Sequence, residues 1–221
     1  MQKTGRPAID DSTSEWIIGS DEAGYGTWAG DLFVAGVAVR RDWNDPNVTD
    51  SKKLSDKARR AIVRQYKTQV FWVLSRTSPK KIDDLGVWAA VIRAHNEVHA
   101  KLAQSLPSSE SALHVVDGLE NARSLLRAEI EPLTRADRIV PAVALASCFA
   151  KVAQCVAMDR AHAEYPQYGF DTSRGYGTPA HQEALRSHGI CPLHRQSYRP
   201  IRKVLEGRSS RSLTLDFEDD A

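Results

Sequence analysis

The hexapeptide Asp21-Glu22-Ala23-Gly24-Tyr25-Gly26 follows the apolar run Trp16-Ile17-Ile18 and joins two adjacent carboxylates to a glycine-punctuated turn. Strand side chains alternate between faces, so one acid can address a ligand from the sheet surface while its neighbour reaches round the bend. Gly24 and Gly26 let backbone N–H and C=O groups approach a ligand that a Cβ would exclude. Paired carboxylates beside exposed backbone suit a hard, oxygen-seeking cation and a sugar-phosphate substrate. Taken alone, the same residues read more simply as a solvated strand end and a turn.

Asp117 closes the apolar run Ala112-Leu113-His114-Val115-Val116 and is followed by Gly118. Carboxylates at the ends of two strands, joined by one from a helix, form the usual oxygen cage for two divalent ions about 4 Å apart. By itself Asp-Gly is a turn signal. Between these acids, Lys52 to Lys67 carries seven Lys/Arg against the single acid Asp56. That stretch is either a solvated helix face or a surface for a phosphate backbone.

The elements that must position these residues alternate along the chain. Strands are predicted at Ile17-Ile18, Leu32 to Val39, Val70 to Leu74 and Ala112 to Val116. Ser51 or Ser55 caps the basic helix, and Ser78-Pro79 starts another helical stretch with apolar residues from Ile82 to Val98. Ile139 to Met158, uncharged but for Lys151, reads as a buried helix after a short strand, and Tyr165 to His181 as a long loop folded over something. Strand–helix alternation indicates one α/β domain over residues 15–206, between a flexible segment 1–14 and a disordered acidic tail 207–221.

The composition is that of a soluble globular protein, 42% hydrophobic and 26% charged. No apolar run approaches the roughly 18 residues of a membrane span. The polar Met1–Ser14 segment has no signal-like apolar stretch. Cys148, Cys155 and Cys191 are an odd set without CxxC spacing, so neither a disulfide framework nor a zinc site is expected, and the expected compartment is reducing cytoplasm. The net charge of +2 is too mild to argue for nucleic acid without the local basic cluster.

Six segments in order resemble the type 2 ribonuclease H family (RNase HII/H2). They are Asp21-Glu22-Ala23-Gly24-x-Gly26, Asp50-Ser51-Lys52-Lys53-Leu54-Ser55, Val116-Asp117-Gly118, Ala146-Ser147-x-x-Ala150-Lys151-Val152, Gly175-Tyr176-Gly177-Thr178 with His181, and His194-Arg195-x-Ser197-Tyr198. Each is weak; the ordered set is specific. The resemblance implies an RNase H-like α/β fold, a mixed five-stranded sheet flanked by helices with a helical C-terminal part. It implies cleavage of the RNA strand of RNA/DNA hybrids, or of duplex DNA 5′ to an embedded ribonucleotide, leaving 3′-hydroxyl and 5′-phosphate ends. On this resemblance Asp21, Glu22 and Asp117 would hold two Mg²⁺ or Mn²⁺ ions. Gly24, Tyr25 and Gly26 would meet the ribose, whose 2′-OH distinguishes RNA from DNA, with Tyr176 beside the sugar. Lys52, Lys53, Lys151 and Arg174 are candidate phosphate contacts. His194 and Arg195 are structural or phosphate-facing.

Two positions depart from the family pattern. Tyr25 stands where the glycine-rich turn usually carries Arg or Lys. Register from Ala150-Lys151-Val152 puts Cys155 at the fourth carboxylate position, and a thiol suits Mg²⁺ poorly. Asp159, one helical turn further, is the candidate replacement ligand. A hybrid-binding protein with weakened catalysis, or a nuclease with another substrate, is the alternative these departures allow. In the tail, Leu213, Leu215 and Phe217 have a spacing that resembles sliding-clamp-binding peptides, without their leading Gln; the plainer reading is a solvated acidic tail.

Overall fold

β-Branched and aromatic runs place five strands in one sheet, with the order β3-β2-β1-β4-β5. They are β1 (Trp16–Ala23), β2 (Leu32–Arg40), β3 (Phe71–Thr77), β4 (Ala112–Asp117) and β5 (Ile130–Leu133). β3, β2 and β1 run antiparallel, whereas β4 and β5 continue parallel to β1, giving the mixed sheet expected. This computed structural model describes residues 13–49 and 51–215, with side chains described as far as Gly207. Asp50 lies outside the described residues, as do residues 1–12 of the N-terminal segment and 216–221 of the tail, Phe217 among them.

Helices cover both faces of the sheet. α4 (Pro141–Glu164) packs on β1 and β2 from one side and carries α1 (Asp56–Tyr66) on its flank. α3 (Val87–Ser105) packs on β2 and β3 from the other. β2 is therefore buried from Leu32 to Val39 and reads as an unbroken apolar run, as a strand covered on both faces should. Ser55 caps α1, accepting from the Ala58 N–H at 3.2 Å, while Ser51 sits in a preceding 3₁₀ turn. Ser78 caps α2 (Pro79–Leu85), and Gly86 separates it from α3 within the stretch read as one helical run.

α4 lies close on β1 because Gly19 has no side chain. A Cβ there would stand 2.4 Å from the Val143 nitrogen and 2.6 Å from the Ala142 carbonyl carbon, both backbone atoms that cannot swing away. Among the described residues α4 is the one helix long and apolar enough to cross a membrane, and it is the buried core helix of this fold.

Three segments differ from expectation. The short strand is not beside Ile139, where the chain makes a 3₁₀ turn (Ala136–Arg138); it is β5, four residues long with Pro132 inside. Such a strand is hard to read, because Pro is tolerated only at a sheet edge. Tyr165 to His181 is not a loop but a 3₁₀ turn (Pro166–Tyr168), α5 (Phe170–Ser173) and the start of α6 (Pro179–His188). Tyr168 and Phe170 are buried against Met158 and Ala161 of α4, and this apolar anchoring orders the Gly/Pro-rich chain. α7 (Arg199–Leu215) carries helix through residues 207–215, where a disordered tail is predicted; Gly207, Ser209, Ser210, Ser212 and Thr214, all weaker helix formers than Arg and Leu, leave little helical signal there.

Gly19→Ala is expected to lower stability by at least about 2 kcal/mol, the scale of overpacking against fixed backbone. Urea denaturation measures it.

Candidate active site

The C-terminal ends of β1 and β4 open into a cleft of about 280 Å³. Its acidic wall is Asp21, Glu22 and Asp117; its opposite side carries Lys52, Arg59 and Lys151; the turn Gly24-Tyr25-Gly26 and Tyr176 form the rim. Larger clefts of about 510 and 470 Å³ beside β3 hold as acids only Glu97 in one, and Asp31, paired with Arg76, and Glu164 in the other.

Strand alternation splits the acid pair. Asp21 turns toward α4, where Ser147 donates to it and the Glu22 N–H donates to its Oδ1 at 2.8 Å. Ser147 is fixed in turn by Ser51, with 2.7 Å between their hydroxyls. Glu22 turns toward α3, with His95 Nε2 at 3.3 Å from its Oε2. Asp117 accepts the backbone N–H groups of Ala136 and Asp137, yet its Oδ1 is buried with no hydrogen-bond partner. Burial, then the neighbouring Glu22 charge, holds the Asp21 carboxyl well above the usual carboxylate range. Asp117 is pushed up by burial, then by the charge of Asp137.

Asp137 is the acid that the sequence reading missed. It is 4% exposed, on the 3₁₀ turn after β5, and is the principal charged neighbour of Asp117. In Arg135-Ala136-Asp137-Arg138 it resembles ordinary surface charge. The available signal was its place directly before the uncharged helix. The fourth-ligand candidates on α4 are not in the cleft. Cys155 is buried, and Asp159 is exposed and paired with Arg60 at 3.1 Å and with Arg174. Asp137 does not line the cleft either, but it stands beside Asp117.

The donor set fits a divalent cation. Three carboxyl groups line the cleft and a fourth, Asp137, stands beside Asp117. Burial first and acidic neighbours second make Asp21 and Asp117 resist ionisation, and one oxygen is buried without a partner. Hard oxygen ligands of this kind select Mg²⁺ or Mn²⁺ over softer ions. Among the described residues no three of these side chains stand close enough to chelate as they are, so an ion would have to draw them together.

Arg195 organises the turn. It is fully buried and donates to Gly24 O at 2.6 Å, Tyr25 O at 2.9 Å, Gly30 O at 2.9 and 3.0 Å and Tyr198 Oη at 2.8 Å. A phosphate cannot reach it. Gly24 has φ +90°, and a Cβ there would stand 2.7 Å from Asp31 O, so both backbone angle and space require glycine. Tyr25 and Tyr176 are 38% and 43% exposed, an aromatic on each side of the turn. The Lys151 ammonium lies 5.8 Å from the Tyr176 ring and donates to Gln154 Oε1 at 2.7 Å. Lys53 is exposed and does not line the cleft, and Arg174 spends its guanidinium on Asp159 and Cys155 O. Neither lines the basic side of the cleft.

A histidine pair holds Tyr176 from behind. The Cys191 N–H donates to His194 Nδ1 at 2.9 Å, His194 Nε2 lies 3.0 Å from His181 Nε2, and His181 Nδ1 lies 2.9 Å from Tyr176 O. Because His194 Nδ1 accepts, its Nε2 carries the proton, and His181 then donates from Nδ1 to the carbonyl. Both rings are neutral in this arrangement; burial and the neighbouring His181 push His194 down to about 4.

The mixed sheet with carboxylates at the ends of β1 and β4 defines the RNase H-like class. The Ribonuclease HII family model matches residues 18–201. Ribonuclease HII of Bordetella pertussis is 39% identical over 187 residues, covering 84% of this chain and 90% of that protein. RNase HII of Archaeoglobus fulgidus, solved as a PCNA:RNase HII complex, matches with TM-score 0.64 at 26% identity over 83% of this chain and 95% of that one. Bst-RNase HIII, solved in complex with Mn²⁺, matches in fold with TM-score 0.70 at 20% identity over 90% of this chain and 72% of that one. The chain belongs to the ribonuclease HII family and is a type 2 ribonuclease H, an endoribonuclease acting on RNA/DNA hybrids.

Asp21→Asn removes a carboxylate that the fold resists ionising. It is expected to cut hydrolysis by about 10²–10³-fold, the scale of losing one electrostatic stabiliser of the transition state, while raising the Tm of the metal-free protein. Calorimetry beside a cleavage assay checks both. For His194 the folded value lies below its ordinary 6.5, so the unfolded chain binds more protons between pH 6.5 and 4. Stability should fall as pH drops through that window, by about 3 kcal/mol for this group. His99, His114 and His181 shift in the same direction. Urea midpoints at pH 7.5 and 4.5 should converge in His194→Gln.

Proposed function

We propose that this chain cuts the RNA strand of RNA/DNA hybrids and duplex DNA on the 5′ side of an embedded ribonucleotide, leaving 3′-hydroxyl and 5′-phosphate ends. Asp21, Glu22, Asp117 and Asp137 would hold Mg²⁺ or Mn²⁺ in a two-metal arrangement. The observation that carries the reading is the buried, partnerless Asp117 Oδ1 among acids that crowd one another at the strand ends. Such ions supply acidification of the attacking water and charge neutralisation at the leaving oxygen.

The remaining work falls to the protein. The Arg195-braced backbone of Gly24, Tyr25 and Gly26 meets the ribose, whose 2′-OH both donates and accepts. Tyr176, backed by Lys151 and the histidine pair, supplies a flat apolar face beside the sugar. Lys52 and Lys151 face the phosphates, and Arg59 braces the turn that carries Lys52 through the Ser51 and Leu54 carbonyls. Tyr25 replaces a family cation with a neutral ring and hydroxyl, so this turn grips by stacking and hydrogen bonding rather than by charge.

A weakened hybrid-binding protein was the alternative that Cys155 favoured. Asp137, buried beside Asp117, supports retained catalysis instead, since it offers a fourth acid from the turn after β5. The Mn²⁺ of the Bst-RNase HIII neighbour also supports a divalent metal. The buried free thiols of Cys148, Cys155 and Cys191 fit a reducing compartment such as the cytoplasm. A sliding clamp is a further partner reading, supported by the PCNA complex of the Archaeoglobus neighbour. Contact through Leu213, Leu215 and Phe217 in extended form would require the end of α7 to unwind.

Cleavage of a labelled duplex containing one ribonucleotide, and of an RNA/DNA hybrid, in Mg²⁺ and in Mn²⁺, tests the assignment. Asp137→Asn should lose about 10²–10³-fold, whereas Asp159→Asn and Cys155→Ser should stay within about threefold of the native enzyme. Activity that survives Asp137→Asn but not Asp159→Asn would overturn the ligand set.

A further inference from the structure

Two strands and one helix face place an unbroken polar chain inside the apolar core beneath the cleft. Ser20 and Glu22 are two residues apart on β1 and share the face turned to α3. His95 and His99 are four apart on α3 and share the face turned to β1. His114 on β4 sits beside Ile18 in the parallel register. The contacts run in series. Glu22 Oε2 lies 3.3 Å from His95 Nε2, and His95 Nδ1 lies 2.8 Å from Ser20 Oγ. Ser20 Oγ lies 2.8 Å from His99 Nε2, and His99 Nδ1 lies 3.1 Å from His114 Nδ1. Ser20, His95 and His99 are fully buried and His114 nearly so.

With Glu22 a carboxylate and all three imidazoles neutral, donor and acceptor counting gives this chain one proton order. An ionised Glu22 only accepts, so His95 carries its proton on Nε2. Neutral His95 then accepts at Nδ1, and only the Ser20 hydroxyl can donate there. With its proton spent, Ser20 Oγ accepts from His99 Nε2–H, and His99 Nδ1 accepts from His114 Nδ1–H. Every group in the series is then satisfied. Burial holds His99 well below its ordinary range and lowers His114, as this order requires.

We propose that His95, held by Ser20 and His99, is a positioning residue that fixes the Glu22 carboxylate for its metal. The inference rests on Glu22 being a metal ligand. Ligands gain orientation from the groups hydrogen-bonded behind them, and losing such a partner costs about 10–100-fold in metal affinity. Buried histidines serving only to fill the core would have no need to end on a cleft carboxylate or to share one proton order across three elements.

Mn²⁺ binding by calorimetry, with the Tm of the metal-free protein as a control for folding, tests the proposal. His95→Leu should weaken Mn²⁺ by about 10–100-fold, and His95→Gln, which keeps a donor, should recover most of that loss. His99→Leu, which does not touch Glu22, should weaken binding in the same direction by less. ¹⁵N-imidazole spectra of the native protein should place the His95 proton on Nε2 and the His114 proton on Nδ1, a readout independent of how the variants fold. Glu22→Gln separates the two claims. If it leaves Mn²⁺ affinity unchanged, the ligand reading fails. If it weakens binding while folded His95→Leu does not, or if the His95 proton sits on Nδ1, the positioning role is overturned.

Discussion

One buried guanidinium underlies the geometry of the cleft. Arg195 ties the carbonyls of Gly24, Tyr25 and Gly30 to a C-terminal segment more than 160 residues away in sequence. Backbone bonds lock the same junction, from Arg195 N to Trp28 O, Gly30 N to Leu193 O and Trp28 N to Gly175 O. Each of those carbonyls, left buried and unpaired, would cost about 1–3 kcal/mol, so the turn keeps its shape only while the C-terminal part is docked. The charge itself sits near Asp31 and Asp83. Asp31 also pairs with Arg76, and Asp83 accepts from the Gln196 and Ser197 N–H groups. The Gly24–Gly26 turn and the helical C-terminal part are thus one mechanical unit.

The acidic wall obeys the opposite logic. Asp21, Glu22, Asp117 and Asp137 repel one another in a partly dry site, and the fold tolerates this because packing elsewhere holds the strand ends fixed. Such a site is unstable alone and relieved by positive charge, the usual relation between stored electrostatic strain and function. On the facing side stand the cations Lys52 and Lys151, with the Arg59 guanidinium tied to the Ser51 and Leu54 carbonyls behind them.

The sheet was legible because its strands are long β-branched runs bounded by turns, and α1 and α2 because serines cap them. β5 was not, since four residues around Pro132 carry neither length nor alternation. The Tyr165–His181 segment was misread because Tyr168 and Phe170 take their order from α4, a tertiary contact with no local signature. In the site, Asp21, Glu22, Asp117 and the glycine turn announced themselves by sitting at strand ends. Asp137 did not, because proximity to Asp117 depends on where β5 lies, and Arg195 did not, because its role depends on complete burial. The histidine series beneath Glu22 required the pairing of β1 with β4 and the rotation of α3, neither of which spacing alone supplies.

Anomalous diffraction from crystals soaked in Mn²⁺ would test the central claim, that four acids from three separate segments form one cation site. The account predicts density between Asp21, Glu22, Asp117 and Asp137, with the Gly24–Gly26 backbone unmoved beside it. Mn²⁺ seated instead against Asp159 and Cys155 on α4, or its failure to bind at the strand ends, would contradict it.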